Sequence, residues 1–564
     1  MTRARLVTLA AVAAFLVALG FADVRATPQN APPGANRAPA PTAAHAGALF
    51  KTSDECLACH NSLRTASGED VSIGSSWRAS MMANSSRDPY WQASVRRETI
   101  DHPTAAAAIQ DECSVCHMPM ARTQAHANGR EGEVFSHLPV GSGASPENLL
   151  AYDGVSCTLC HQITDEKLGT PASFTGDYVV SLAPDRAKSA SSPEARSIFG
   201  PFKIEKGLET VMHSSSEFKQ VESAHIRKSE LCATCHTLMT KALGPKGEVI
   251  GELPEQVMYL EWRHSAFLGE ERSCQSCHMP AVEEDTPIAS VLGLPRPGFA
   301  RHQFVGGNAF MLRMLNRYRD DLGVMALPQE LDSSVRRTVD NLQKATAGVS
   351  VERADVQSGR LNIDIAVQNL TGHKLPTAYP ARRSWLHLVV RDRAGRPVFE
   401  SGALAPSGLI QGNDADADAT RFEPHYTEIG QPDQVQIYES IMSDAAGAPT
   451  TGLLAAVRYL KDNRLLPRGF DKASAEPNIA SVGQAAEDAD FVGGSDRVRY
   501  SVDIAGREGP FTIDVELRFQ SIGFRWAQNL KSYDAPEPKR FIGYYEAMSP
   551  VSSEILARAS AATR

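Results

Sequence analysis

The pattern Cys-x-x-Cys-His occurs five times in the chain, at Cys56–His60, Cys113–His117, Cys157–His161, Cys232–His236 and Cys274–His278. Two thiols two residues apart, followed at once by an imidazole, are the attachment pattern of a c-type haem. The thiols form thioethers to the porphyrin edge, and the histidine lies under the iron as its proximal ligand. The motifs use all ten cysteines: Cys56, Cys59, Cys113, Cys116, Cys157, Cys160, Cys232, Cys235, Cys274 and Cys277. No thiol is left for a disulfide or a nucleophile. A redox dithiol or a zinc ribbon also uses Cys-x-x-Cys, but neither demands a histidine after every second cysteine. A disulfide framework belongs to chains too small to build a core. The motifs therefore predict five covalently attached haems c, with His60, His117, His161, His236 and His278 as proximal ligands.

An iron that only passes electrons carries a sixth ligand, histidine or methionine, which limits its change of geometry on reduction. Of the sixteen histidines, eleven lie outside the motifs. His264 lies ten residues before the fifth motif, His213 and His225 precede the fourth, and His126 follows the second. His302 stands before a Gly-Gly turn and a helix. His373 sits in the glycine-flanked segment Leu370–Pro376, from which it is expected to reach back to a haem. These six are the expected distal ligands. His387 alternates within a strand and is expected on the solvent face, His45 and His425 are left out, and His102 and His137 stay open. The first motif is followed by Trp77-Arg78-Ala79-Ser80-Met81-Met82, which offers methionine or an open site in place of histidine.

These residues need elements to hold them. Arg3 and Arg5, an apolar run from Leu6 to Phe21 and the small-residue site Val24-Arg25-Ala26 read as a cleaved secretory leader. The run falls short of the ~20 residues of a membrane span, and no later segment is apolar enough for one. Export to the periplasm, or beyond it to the cell surface, is expected. Residues 27–48 read as a Pro/Ala-rich tether, and residues 49–345 as a mainly helical and irregular domain filled by haems. The motif starts are unevenly spaced, which speaks against a tandem repeat. Helices are expected over Asn308–Tyr318 and Leu331–Ala345. Then the period changes to two, at Leu361–Val367, Leu386–Arg391, Val498–Ile504 and Phe511–Phe519. Residues 346–532 therefore predict an antiparallel β-sandwich, interrupted by one helix near Thr451–Lys461. Residues 533–564 read as an irregular, peripheral extension. The fold class is α+β.

At these segments the chain resembles the bacterial multihaem cytochrome c superfamily, the group around the tetrahaem cytochromes of nitrifying bacteria and their larger relatives. Beyond the five motifs, the likeness lies in Asp153-Gly154-Val155-Ser156-Cys157, Ser273–Pro280 and Thr371–Thr377. The last of these resembles a haem-contacting loop in members with a C-terminal β domain. The resemblance implies closely stacked haems, bis-histidine ligation at most sites and an electron-transfer role. In some members it implies a substrate-reducing haem. Those members carry an open iron, sometimes with a lysine in the motif, and no Cys-x-x-Cys-Lys occurs here.

The formal charge of −9 becomes −11 on loss of the leader, whose three arginines and one aspartate leave with it. Nucleic acid is excluded as a partner. A redox donor and a redox acceptor with basic docking patches are expected, and an oligomer is compatible with the sequence. The first reading is an exported electron carrier rather than an enzyme. The second is an oxidoreductase of small nitrogen or sulfur species at one open haem, and the third a subunit of a cytochrome filament or outer-membrane conduit. Asp414, Asp416 and Asp418 alternate as in a calcium loop, without the glycine and glutamate of an EF-hand.

Overall fold

Period-2 alternation in the second half of the chain builds two facing sheets. The computed structural model describes residues 47–181, 195–504 and 506–563. In the first sheet, β1 (Ala347–Gln357), β2 (Arg360–Asn369) and β5 (Ser495–Asp503) run antiparallel in the order β1-β2-β5. The second holds β3 (Arg383–Arg391), β4 (Pro397–Ser401), β6 (Thr512–Gln520) and β7 (Ser553–Ala562), antiparallel in the order β4-β3-β6-β7. Register puts Ile363 opposite Tyr500 and Ile365 opposite Val498 in one sheet, and Leu386 opposite Leu517 and Leu388 opposite Val515 in the other. All eight are buried in one core. A one-residue slip would turn each of these side chains to solvent, so burial itself fixes the pairing.

Two expectations fail here. The helix expected near Thr451–Lys461 is a strand, Arg458–Asp462, paired with Ser440–Ser443. Its apolar residues have helical spacing, but tertiary bonds claim the backbone first. The Glu98 carboxylate accepts from the Leu453 and Leu454 amides at 2.9 and 3.4 Å, and Leu243 N–H donates to Leu454 C=O at 2.6 Å. The C-terminal extension is neither irregular nor peripheral, since it supplies both β7 and the helix Pro536–Met548. Alanines at 557, 559 and 561 kept the alternation of β7 weak in the sequence.

The motif region is mainly short helices: α1 (Pro89–Asp101), α2 (Ala106–His117), α3 (Pro119–Ala127), α4 (Ala309–Arg317) and α5 (Pro328–Ala345) among the longer ones. Asp88 caps α1 by accepting from the Tyr90 and Trp91 amides at 2.8 and 3.2 Å. The C-terminal helix returns onto α1, where Arg96 holds Glu537 through bonds of 2.8 and 3.0 Å and the Tyr90 and Phe541 rings meet at 5.0 Å. The C-terminal segment and the motif region thus share one unit that takes in all the described residues. The expected leader and most of the tether, residues 1–46, lie outside them. Among the described residues, no helix is long and apolar enough to cross a membrane.

Candidate cofactor-binding site

Each motif sits on or beside a short helix, and small polar residues tie one motif to the next. Asp153 accepts from the Ser53 amide at 2.8 Å and the Ser53 hydroxyl at 2.7 Å, which joins the first motif helix to the third motif. Between them Gly154 turns with φ +61°, and a Cβ there would lie 2.8 Å from Ala83 C=O, so only glycine fits. The Cys56 and Cys157 thiols become neighbours. The Ser229 hydroxyl accepts from the Cys274 amide at 3.1 Å, and Gln275 reaches Lys228 C=O at 2.7 Å, so the fourth and fifth motifs touch through Cys232 and Cys274. Gly176 N–H donates to Thr234 C=O at 2.7 Å while its Cα packs on Val115, and this brings Cys235 beside Cys116. Cys160 in turn acts on Cys232 and Cys235. All five motifs therefore form one connected set. No disulfide occurs among the described residues.

Four of the five motif histidines have a fixed tautomer. Nδ1 meets a backbone carbonyl in His60 (Ile288, 2.6 Å), His117 (Ser85, 3.0 Å), His161 (Phe199, 2.6 Å) and His278 (Val305, 2.5 Å). A carbonyl can only accept, so Nδ1 carries the proton and Nε2 keeps its lone pair for a metal. Trp91 stacks on the His117 ring at 4.3 Å and 4°, which holds that imidazole's plane. Burial pushes the His117 imidazole down to about 4 and lowers that of His161. Burial, then His278 and Arg382, bring His236 to about 4. Neutral imidazole, the ligating form, is the result.

Two histidines expected as distal ligands face motif histidines. The His161 and His302 rings stand 6.4 Å apart, 20° from parallel, and the His278 and His373 rings 6.4 Å apart, 16° from parallel. A metal–imidazole bond of about 2.0 Å plus roughly 1.2 Å from nitrogen to ring centre puts two axial rings about 6.4 Å apart. The distal Nδ1 atoms are also engaged, His302 with Ala300 C=O and His373 with Lys374 C=O, both at 2.9 Å. The donor set and the gap fit a haem iron at the third and fifth motifs.

The His373 loop is held by a buried ion network that nothing in the sequence spacing announces. Lys374 Nζ donates to Asp462 at 2.8 Å, and Arg464 meets the same carboxylate at 2.9 and 2.7 Å. Glu261 pairs with Arg464 at 3.1 Å and accepts from the Lys374 amide at 3.1 Å and the Thr377 hydroxyl at 2.6 Å. A Cβ on Gly372 would press the Phe267 ring at 3.2 Å, so the loop lies tight on the helices before the fifth motif.

The other expected ligands stand elsewhere. His225 has both nitrogens engaged, Nδ1 with the Ser223 hydroxyl at 2.6 Å and Nε2 with Ile163 C=O at 2.8 Å. His126 Nε2 binds Asp111 at 2.6 Å. His264 points Nε2 toward Glu476 at 3.5 Å, near the surface. His213 has Nδ1 on Phe218 C=O at 3.1 Å and is exposed. Hydrogen bonds thus engage both nitrogens of His225 and Nε2 of His126, while His213 and His264 have Nδ1 on Phe218 C=O and Leu260 C=O. Met81 packs against the helical apolar cluster around α4. His387 lies between Glu400 and Glu516, and His45 is outside the described residues. The acidic alternation is no calcium loop: Asp416 is buried on Arg383 at 2.7 and 2.8 Å, Asp414 pairs with Arg421, and Asp418 caps Thr420.

No protein-family model matches the chain, and no curated protein does. Among solved structures the fold is similar to that of a penta-heme cytochrome c552 from Thermochromatium tepidum. The TM-score is 0.51 at 16% identity, over 91% of this chain and 99% of that one. This likeness is one of fold.

Proposed function

We propose that the chain is an exported c-type cytochrome that carries five haems and passes electrons between two redox proteins. One observation carries the reading: each of two motif histidines faces a second histidine across the 6.4 Å gap of a six-coordinate metal. Haem c, when bound, supplies an iron that alternates between ferric and ferrous and a conjugated edge through which an electron can leave. The protein's part is positional. Carbonyls fix the tautomer of four motif histidines, and burial keeps His117, His161 and His236 neutral. With haem bound, His302 and His373 would ligate the iron at the third and fifth motifs, while His225 and His126 would stand outside the ligand set. The thiol contacts support closely spaced cofactors, since they set the first motif beside the third and the fourth beside the second, third and fifth. In this reading the motif-four cofactor is the junction of the path. The β-sandwich buttresses the path, since His373 is delivered from its loop.

The test is haem quantified against protein in the purified, exported chain, together with low-temperature EPR of the ferric state. Five haems per chain, with low-spin signals predominant, are expected. Fewer than five, or free thiols titrating in the native protein, would overturn the reading.

A further inference from the structure

A cavity of about 130 Å³ is lined by Arg97, Arg382, Arg383, Arg421, Arg525 and Thr451, among others. Its single carboxylate, Glu439, is already paired with Lys461 at 3.0 Å. Three of the arginines have acidic partners: Arg383 with Asp416, Arg421 with Asp414, and Arg97 with Asp101 at 3.5 Å. Among the described residues, the other two have none within ion-pair distance. Arg525 donates to Ala415 C=O and Asp416 C=O, both at 2.7 Å, and Arg382 donates to Thr377 C=O at 3.1 Å. The acidic residue that acts on Arg382, Asp88, is committed to capping α1. Thr451 Oγ1 accepts from Arg97 and from Asn529, both at 2.8 Å, so its own proton is left to donate.

Two positive charges without acidic partners, a free hydroxyl donor and a small space define the ligand. Cavities for drug-sized molecules run from about 300 Å³ upward, so this one admits only a few heavy atoms. A guanidinium presents paired N–H donors that match a pair of oxygens on one centre. We propose that this cavity binds a small inorganic oxyanion, held by Arg382, Arg525 and the Thr451 hydroxyl. Arg382 also acts on His236 and His373. On the haem reading, a bound anion would therefore lower the potential of the cofactor at motif four or motif five by favouring its ferric form.

The test uses the full holoprotein at constant ionic strength, titrated calorimetrically with sodium sulfate, which is redox-inert, and separately with sodium nitrite. Saturable one-to-one binding of at least one anion is expected. Arg382→Gln should weaken it about tenfold or more, and Arg468→Ala, at an exposed arginine elsewhere, should leave it unchanged. If Arg382→Gln does not fold, Thr451→Val serves in its place, with weakened binding and an unchanged visible spectrum expected. No saturable heat with either anion, or equal affinity in the cavity variant and wild type, would overturn the proposal. Calorimetry does not depend on the cofactors, so failure of the haem reading would show separately, in the haem count. The same titration followed by spectroelectrochemistry should lower one midpoint potential. Binding that leaves every potential unmoved would refute the coupling to motifs four and five.

Discussion

Replacing Asp462 by alanine should release His373 from the fifth motif, though the two residues are far apart in sequence. Lys374, Arg464, Asp462 and Glu261 form a buried set of two cations and two anions, with side-chain exposures of 0%, 6%, 3% and 0%. Removing Asp462 leaves both cations facing Glu261 alone, so one buried charge is uncompensated. Breaking a buried pair in this way costs about 3–5 kcal/mol, which shifts an equilibrium between closed and open loop by roughly 10²–10⁴. Lys374 follows His373 directly and accepts the hydrogen bond from its Nδ1, so when the lysine moves the ring moves with it. The assay is ferric EPR, with carbon monoxide binding to the reduced protein. One haem should turn high-spin and bind the gas, and the denaturation midpoint should fall. Asp462→Asn, which keeps an acceptor oxygen without the charge, should fall between. Burial would raise the Asp462 carboxyl, but Arg464 and Lys374 hold it far below the ordinary range. Its contribution is therefore present above about pH 4 and lost only in strong acid, so the wild-type loop should stay closed at any physiological pH. A variant that loses stability yet keeps every haem low-spin would refute the positioning role. One that loses neither would refute the charge argument itself.

Ligand assignment gives sharper contrasts. His302→Ala should make one haem high-spin, whereas His126→Ala and His225→Ala should leave the spin states as they are; the reverse pattern would sink the assignment. Imidazole planes within 20° of parallel lift the degeneracy of the iron's two π-type d orbitals, so at least two haems should give rhombic low-spin EPR signals. Purely large-anisotropy signals would mean crossed rings. In the β-sandwich, burial pushes the Asp496 carboxyl up to about 7, where it accepts from the Tyr438 hydroxyl at 2.7 Å. A raised folded pKa stabilises below the unfolded value near 4 and is lost as pH rises through 7. Asp496→Asn should therefore gain on wild type between pH 4 and 7, by on the order of 4 kcal/mol at most. Urea midpoints of the two proteins that stay parallel across that range would contradict this.

What the sequence made legible follows from how local each signal is. The haem-attachment pattern lies within five consecutive residues, and the core strands repeat every second residue, so both could be read directly. On the proposed reading, distal ligation is not local: His302 and His373 stand opposite His161 and His278 from 141 and 95 positions away, each with Nδ1 already engaged. His126, His225 and His264 were nearer in sequence, but a carboxylate, a hydroxyl with a carbonyl, and a surface glutamate hold them in their own neighbourhoods. The same logic explains the misread helix at 451–461, where Glu98 captured two amides that a helix would have needed for its own turns.

A consequence for assembly follows from this division. The motif cysteines and proximal histidines are contiguous, so thioether attachment needs only a short stretch of unfolded chain. On the proposed reading, the sixth ligands need the fold. His302 depends on the segment between the fifth motif and α4, and His373 on the β-sandwich and its ion network. Closing such long loops carries an entropy cost that grows only slowly with length, so distance in sequence is a minor obstacle once the core that delivers the ligand has formed. Attachment should thus precede axial closure. A chain truncated after residue 345 should still acquire haem covalently while lacking the fifth motif's distal ligand, and its spectra should show high-spin iron in place of one low-spin component. A truncated chain whose haems were all low-spin would mean that some other residue serves as that ligand, and would remove the β-sandwich from the site.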